Sequence, residues 1–197
     1  MIAILDYGSG NLRSALRAFE RTGRKVFLTS DPEQAANADA LVVPGVGAFG
    51  ACMSGLKSVN GDQVINARKA AGKPTLGICV GMQILFDRGV EHGSFDGVGA
   101  LTGTVEKMVA PVLPHMGWNT VRIEGNSKLF KGLEKESFYF VHSYAVKNSN
   151  VSNYAVTDYF GEFISAIEDG AVCATQFHPE KSGAAGLKLI SNWVESL

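Results

Sequence analysis

"TLGICVGMQ", residues 75–83, is the stretch whose reading decides the fold. The apolar run Pro74–Ile78 reads as a buried strand, and the residues after Cys79 read as the start of a helix. Cys79 stands at the junction, with Gly77 two residues before it and Gly81 two residues after. A sharp strand-to-helix turn brings backbone segments very close together and holds its central residue in strained φ/ψ space, so its flanks must be small. The pattern has the form of a nucleophile elbow with a thiol in place of the hydroxyl. The N–H groups and dipole of the following helix are expected to favour a thiolate there and to hold an oxyanion. A structural cysteine buried at a tight turn is the bland alternative.

Working outward, "IAILD" (2–6), "KVFLT" (25–29) and "ALVV" (40–43) are further apolar runs, and Leu12, Ala15, Leu16 and Phe19 follow the first of them at helical spacing. Continuous apolar strands alternating with amphipathic helices predict a mostly parallel sheet covered on both faces. After about Gly97 the pattern changes. "LTGTVEKM", "NTVRI", "SFYFV", "FISAIE" and "AVCATQF" are closely spaced strand-like runs, which predict additional antiparallel strands in the C-terminal half. Gly186–Leu197 closes the chain as an amphipathic helix. With no repeat or linker in sight, residues 1–197 read as a single α/β domain.

Bulk properties exclude several classes. The chain has 197 residues, 46% hydrophobic and 19% charged, with a net charge of −1. That balance describes a folded protein without a basic field for nucleic acid or membrane. No apolar run is long enough to cross a bilayer, and the start "MIAILDYG" lacks the basic region of a signal peptide. Cys52, Cys79 and Cys173 are an odd set without metal-ligand spacing, which predicts free thiols in a reducing, cytoplasmic setting and no metal. The Asn150-Val151-Ser152 sequon is then a chance match. "GSGN" (8–11) could cradle a phosphate, but Arg13 occupies the third glycine position of the dinucleotide fingerprint, and a P-loop is missing.

A thiol nucleophile needs a base, and the base an orienting group. Of the four histidines, His178 lies in "TQFHPEKSG", just past a predicted strand. Pro179 biases His178 towards extended backbone, in which residues two apart share a face. Glu180 is therefore expected beside the imidazole, completing a Cys79–His178–Glu180 set. Alone, His178 could be a histidine capping a strand end. "VVPGVGAFG" (42–50) follows another buried strand and could bring backbone N–H groups close to a ligand.

"GICVGMQ" together with "QFHPEKSG" resembles the class I (triad) glutamine amidotransferases. "DYGSGN", "PGVGAFG", "PHMGWN" (114–119) and "YFVHSY" (139–144) narrow the likeness to the glutaminase subunits of imidazole glycerol phosphate synthases, over nearly the whole chain. The glutaminases of pyridoxal phosphate and guanylate synthesis carry a Gly-Gly type loop where this chain has Gly45-Val46-Gly47. Tyr159-Phe160-Gly161 and Thr175 are small departures away from the triad.

The resemblance implies a flavodoxin-like sheet and glutamine hydrolysis through a cysteinyl thioester, without a cofactor. It casts Cys79 as nucleophile, His178 as acid and base, and Glu180 as the group that orients it. Backbone N–H groups of Val80 and, after a peptide rearrangement, Val46 would form the oxyanion hole. Gly47, Gln83, Ser143 and Tyr144 would hold the substrate, Gln83 lying one helical turn beyond Cys79. The implied partner is a cyclase subunit with a (β/α)8 barrel, which takes the ammonia and forms a heterodimer. Asn11, Arg13, Trp118, Asn119, Tyr139 and Lys181 are the candidate docking residues, with Trp118 open between interface and core. His115 and His142 are given no catalytic role. A stand-alone cysteine hydrolase of the same fold, the glutaminase of another synthase, or a non-enzymatic binding subunit are the competing readings.

Overall fold

The structure, a computed structural model, describes residues 1–197. Its first half alternates strand and helix: β1 (Ile2–Leu5), α1 (Leu12–Glu20), β2 (Val26–Thr29), α2 (Pro32–Asn37), β3 (Ala40–Gly45), α3 (Phe49–Ser58), α4 (Gly61–Ala70), β4 (Thr75–Cys79) and α5 (Val80–Gln83). The second half is mostly strand: β5 (Phe86–Gly89), β6 (Phe95–Asp96), β7 (Leu101–Lys107), β8 (His115–Thr120), β9 (Arg122–Glu124), β10 (Ser137–His142), β11 (Tyr144–Val146), β12 (Asn153–Asp158), β13 (Glu162–Asp169) and β14 (Val172–Thr175). A 3₁₀ turn (Pro179–Lys181) and α6 (Gly183–Glu195) finish the chain.

Eight strands form the main sheet in the order β2-β1-β3-β4-β14-β13-β12-β9. The first five are parallel and the last three antiparallel. Taken alone, the parallel part has the 2-1-3-4-5 order of flavodoxin-like folds. β1, β3, β4 and β14 are buried along their whole length, as a sheet covered on both faces requires. β8 and β10 pair as a separate antiparallel ribbon, and β11-β7-β5-β6 form a small mixed sheet.

The predicted class is therefore observed, with two adjustments. β5 and β6 precede the expected change at Gly97, because α5 is a single turn and the chain re-enters a strand at Phe86. β14 joins the parallel block beside β4, which carries the segment after it to the edge where the segments after β1, β3 and β4 also emerge. In open α/β sheets that carboxyl edge is where ligands bind.

Candidate active site

Cys79 ends β4 with φ 56° and ψ −115°, a left-handed backbone for a residue with a side chain. The strain is enforced by its surroundings. A Cβ on Gly81 would lie 1.9 Å from the Val43 carbonyl oxygen, so only glycine lets α5 sit against β3. The thiol is buried and lines a pocket of about 310 Å³ with Val46, Gly47, Gln83, Ser143 and His178. α5 is only four residues long. The expected helix dipole is accordingly small, since it sums over aligned peptides, and what remains is the set of unpaired N–H groups of one turn beginning at Val80.

His178 has extended backbone (φ −98°, ψ 96°), as its proline neighbour dictates. Glu180 reaches it by a route other than the one expected. Residues 179–181 are a 3₁₀ turn rather than extended chain, and the turn folds the carboxylate back onto the ring. Nδ1 of His178 stands 2.8 Å from Oε1 of Glu180, with both side chains only 3% exposed. Nε2 is buried without a hydrogen-bond partner and shares the pocket with the Cys79 thiol. Burial alone would lower the His178 pKa. The nearby Cys79 thiol and the hydrogen-bonded Glu180 carboxylate outweigh it and raise the value to about 9. The other two thiols are held protonated, since burial pushes Cys52 up and Cys173 up to about 12.

The loop after β3 is anchored at its base, where the Tyr7 hydroxyl donates to the Pro44 carbonyl at 2.5 Å. Beyond that, Val46 is 43% exposed. Its N–H donates to Ser9 Oγ (3.0 Å), and its carbonyl accepts from Ser9 Oγ (2.8 Å) and Cys52 Sγ (3.3 Å). In this conformation the Val46 N–H is therefore engaged by Ser9 rather than by the space beside Cys79. Gly47 has φ +91°, and a Cβ there would meet nothing within 4 Å.

Gln83 is buried and donates to the Tyr144 carbonyl (2.9 Å) and to Gln176 Oε1 (3.0 Å), while Gln176 Nε2 lies 3.9 Å from Cys79 Sγ. Sequence reasoning gave Ser9 and Gln176 no part. Gln176 was legible as a polar residue two positions before His178 at a buried strand end; Ser9 meets the loop 37 residues away only through the β1–β3 pairing.

The docking candidates divide. Trp118 is 59% exposed and packs edge-on to Tyr139, with ring centroids 6.1 Å apart, so it is not a core tryptophan. Lys181 is exposed on the pocket rim. Asn11 and Arg13 are exposed at the start of α1, where Asn11 caps the helix. Asn119 turns inward: its amide nitrogen contacts the Asp158 carbonyl (3.0 Å) and His115 Nε2 (3.3 Å).

A strained thiol elbow, a carboxylate-bound histidine and a glycine loop with an exposed tip at one sheet edge suit acyl transfer from a small amide. Residues 3–196 match the family model for class I glutamine amidotransferases, and the chain belongs to that family. Within it, the chain is 54% identical to the imidazole glycerol phosphate synthase subunit HisH of Corynebacterium diphtheriae, covering 100% of this chain and 99% of that one. It is 55% identical to the subunit of the same name from Mycolicibacterium paratuberculosis, covering 100% and 98%. Among solved structures, PurLQS from Thermotoga maritima superposes with TM-score 0.75 at 19% identity, covering 99% of this chain and 97% of that one. The glutaminase domain of Trypanosoma brucei CTPS with bound acivicin gives TM-score 0.64 at 17% identity, covering 98% and 93%. These last two likenesses are of fold.

Proposed function

We propose that this chain, as one domain of residues 1–197, is the glutaminase subunit of an imidazole glycerol phosphate synthase in histidine biosynthesis. Full-length identity of 54–55% to subunits of that name supports the reading. The observation that carries the chemistry is the Cys79 elbow opening into one pocket with the His178–Glu180 pair.

In the proposed reaction the Cys79 thiolate attacks the side-chain amide carbon of glutamine. The Val80 N–H, and the Val46 N–H once the loop has turned, receive the oxyanion. His178, held as imidazolium by Glu180, gives its proton to the leaving nitrogen. Ammonia departs and a γ-glutamyl thioester remains. His178 then takes a proton from water, the hydroxide attacks the thioester, and glutamate leaves as the thiolate is restored. The sum is glutamine plus water to glutamate plus ammonia. Gly47, Gln83, Ser143 and Tyr144 hold the substrate, and no cofactor is required.

Free ammonia is diluted and protonated in water, so it must be delivered. The partner we propose is a cyclase chain with a (β/α)8 barrel, docked over the pocket mouth at Trp118, Tyr139, Lys181, Asn11 and Arg13. It would use the ammonia, passed through a channel, to make imidazole glycerol phosphate and an aminoimidazole carboxamide ribonucleotide. No helix is long and apolar enough to cross a membrane; the setting we propose is the cytoplasm. The test is to mix the chain with the barrel and its ribonucleotide substrate and supply glutamine. Product formation and glutamate release are expected, with release slow from the chain alone and fastest with barrel and acceptor ligand together. Equal release in all three mixtures would instead indicate a stand-alone hydrolase.

A further inference from the structure

From the pocket wall, which Gln83, His142 and Tyr144 line, a chain of polar contacts runs inward to His115 and Asn119, two residues to which the proposed chemistry gives no part. The Tyr144 carbonyl accepts from Gln83 Nε2 at 2.9 Å and stands 2.9 Å from Nδ1 of His142. Nε2 of His142 is 3.0 Å from Nδ1 of His115, and Nε2 of His115 is 3.3 Å from the Asn119 amide nitrogen. A carbonyl only accepts, so Nδ1 of His142 carries a proton. In neutral rings its Nε2 then accepts, Nδ1 of His115 donates, and Nε2 of His115 accepts from Asn119. One assignment satisfies every contact, and it runs in one direction from Asn119 to Tyr144. Burial keeps both rings neutral, lowering His142 to about 3 and His115 to about 4. His115 is also stacked between Phe140 and Tyr159, at centroid distances of 4.9 and 4.1 Å, and so is held in place.

The chain of donors ends where β10 passes into β11. Ser143, between those strands, lines the pocket. Its carbonyl accepts from the Met108 N–H at 2.9 Å, while its own N–H makes no backbone hydrogen bond. Both carbonyls of the junction are thus engaged inside the protein, the Tyr144 one twice over. Among these backbone groups the one left for a ligand is the Ser143 N–H, a donor, which suits a carboxylate and not an ammonium.

We propose that His142, backed by His115 and Asn119, is a positioning residue for the substrate: by holding the Tyr144 carbonyl it fixes the course of the backbone from His142 to Tyr144, so that the Ser143 N–H meets the α-carboxylate of glutamine. This rests on the glutaminase reading above. It assigns the histidine pair to binding rather than to chemistry, so its loss should act on KM more than on kcat.

The test is steady-state glutaminase kinetics of the complex with the barrel and its acceptor ligand. His142→Phe keeps a flat ring and removes the donor; KM for glutamine is expected to rise about tenfold, the worth of one hydrogen bond, with kcat changing less than threefold. His142→Asn puts an amide N–H near the position of Nδ1 and is expected to recover most of the loss. His115→Phe should raise KM by a smaller factor. Product formation fed by added ammonia reports that each variant still folds and docks. Nitrogen NMR of the wild-type chain gives a second reading free of mutation, with both neutral rings expected to be protonated at Nδ1. An unchanged KM in His142→Phe, a His142→Asn no better than His142→Phe, or the opposite tautomer in either ring would overturn the proposal and leave the glutaminase reading intact. A wild-type complex that releases no glutamate would overturn both.

Discussion

The two glycine-bearing turns beside the pocket, the elbow after β4 and the loop after β3, are built in opposite ways. At the elbow, glycine is demanded by crowding: a Cβ on Gly81 would penetrate the Val43 carbonyl, and the strained Cys79 is buried. In the loop, a Cβ on Gly47 would meet open space, and Val46 is held by Ser9 and Cys52 through polar contacts. Steric confinement cannot be exchanged for anything else, whereas a hydrogen bond can be traded for another at small net cost. Cys79, the proposed nucleophile, is thus fixed by packing, and its proposed oxyanion partner is held by a latch that can be undone.

The harshest break in the comparison is chemical. Cys79→Ala should abolish glutamine-dependent product formation in the complex while ammonia-fed formation continues. His178→Asn should lose about 10²–10⁴ in turnover, because both proton transfers of the proposed reaction go through the ring. Glu180→Gln should lose less, since the carboxylate orients and stabilises. Cys52→Ala and Cys173→Ala should retain turnover, neither thiol being paired with a base. A well-folded Cys173→Ala as inactive as Cys79→Ala would remove the elbow from its proposed role.

The same methyl group added to each turn gives a sharper contrast. Gly81→Ala forces β3 and α5 apart and should cost more than about 4 kcal/mol, the range of severe packing faults. Gly47→Ala meets no neighbour and should cost about 1–2 kcal/mol for its left-handed backbone. Denaturant unfolding of the two variants checks this, and similar losses would show that the loop is as tightly packed as the elbow. Gly47→Pro should fold and bind the proposed barrel partner but lose glutaminase activity, because proline cannot adopt φ +91° and would reset the loop.

The parallel half of the fold was legible because its strands are buried on both faces and read as unbroken apolar runs. The elbow was legible because the need for two glycines around a thiol is a local matter of sterics. Neither condition holds for β5 and β6: Phe86–Gly89 exposes its two central residues, and Phe95–Asp96 is exposed at both positions. The His178–Glu180 pairing was foreseen through the wrong local geometry, since Pro179 also favours the first turn of a helix and here starts one. Ser9, His115 and His142 could not be assigned from sequence, because their partners come from strand pairings and loop approaches that no local pattern encodes.

The fixed side of the site should also show itself in pH dependence. The folded pKa of His178, raised to about 9, lies above the ordinary histidine value of about 6.5. Between those values the folded protein holds a proton that the unfolded chain has released. The stability it contributes is therefore fully present below pH 6.5 and lost as pH rises through 9. Unfolding midpoints between pH 6 and 10 should fall for the wild type. Cys79→Ala and Glu180→Gln each remove a group that raises the pKa, and both should flatten the decline. An equally steep decline in both variants would place its origin outside the triad.

The smallest expected effect tests the latch. Ser9 Oγ bonds both the N–H and the carbonyl of Val46, so it fixes the peptides on either side of that residue at once. Ser9→Ala removes both contacts and leaves only the Cys52 thiol on the carbonyl. If the Val46 N–H must leave Ser9 to reach the oxyanion, the wild-type chain expends a hydrogen bond on turning and the variant does not. A net hydrogen bond is worth about 0.5–1.5 kcal/mol, so glutamate release by the partner-free chain should rise about two- to tenfold. The rate with the proposed barrel partner and acceptor ligand should change less, because in the proposed coupling docking biases the loop first. The ratio of the two rates, the degree of activation by the partner, should shrink accordingly. A Ser9→Ala chain with an unchanged or larger activation ratio would show that Ser9 does not restrain the loop, and would move the restraint to its packed base at Tyr7 and Pro44.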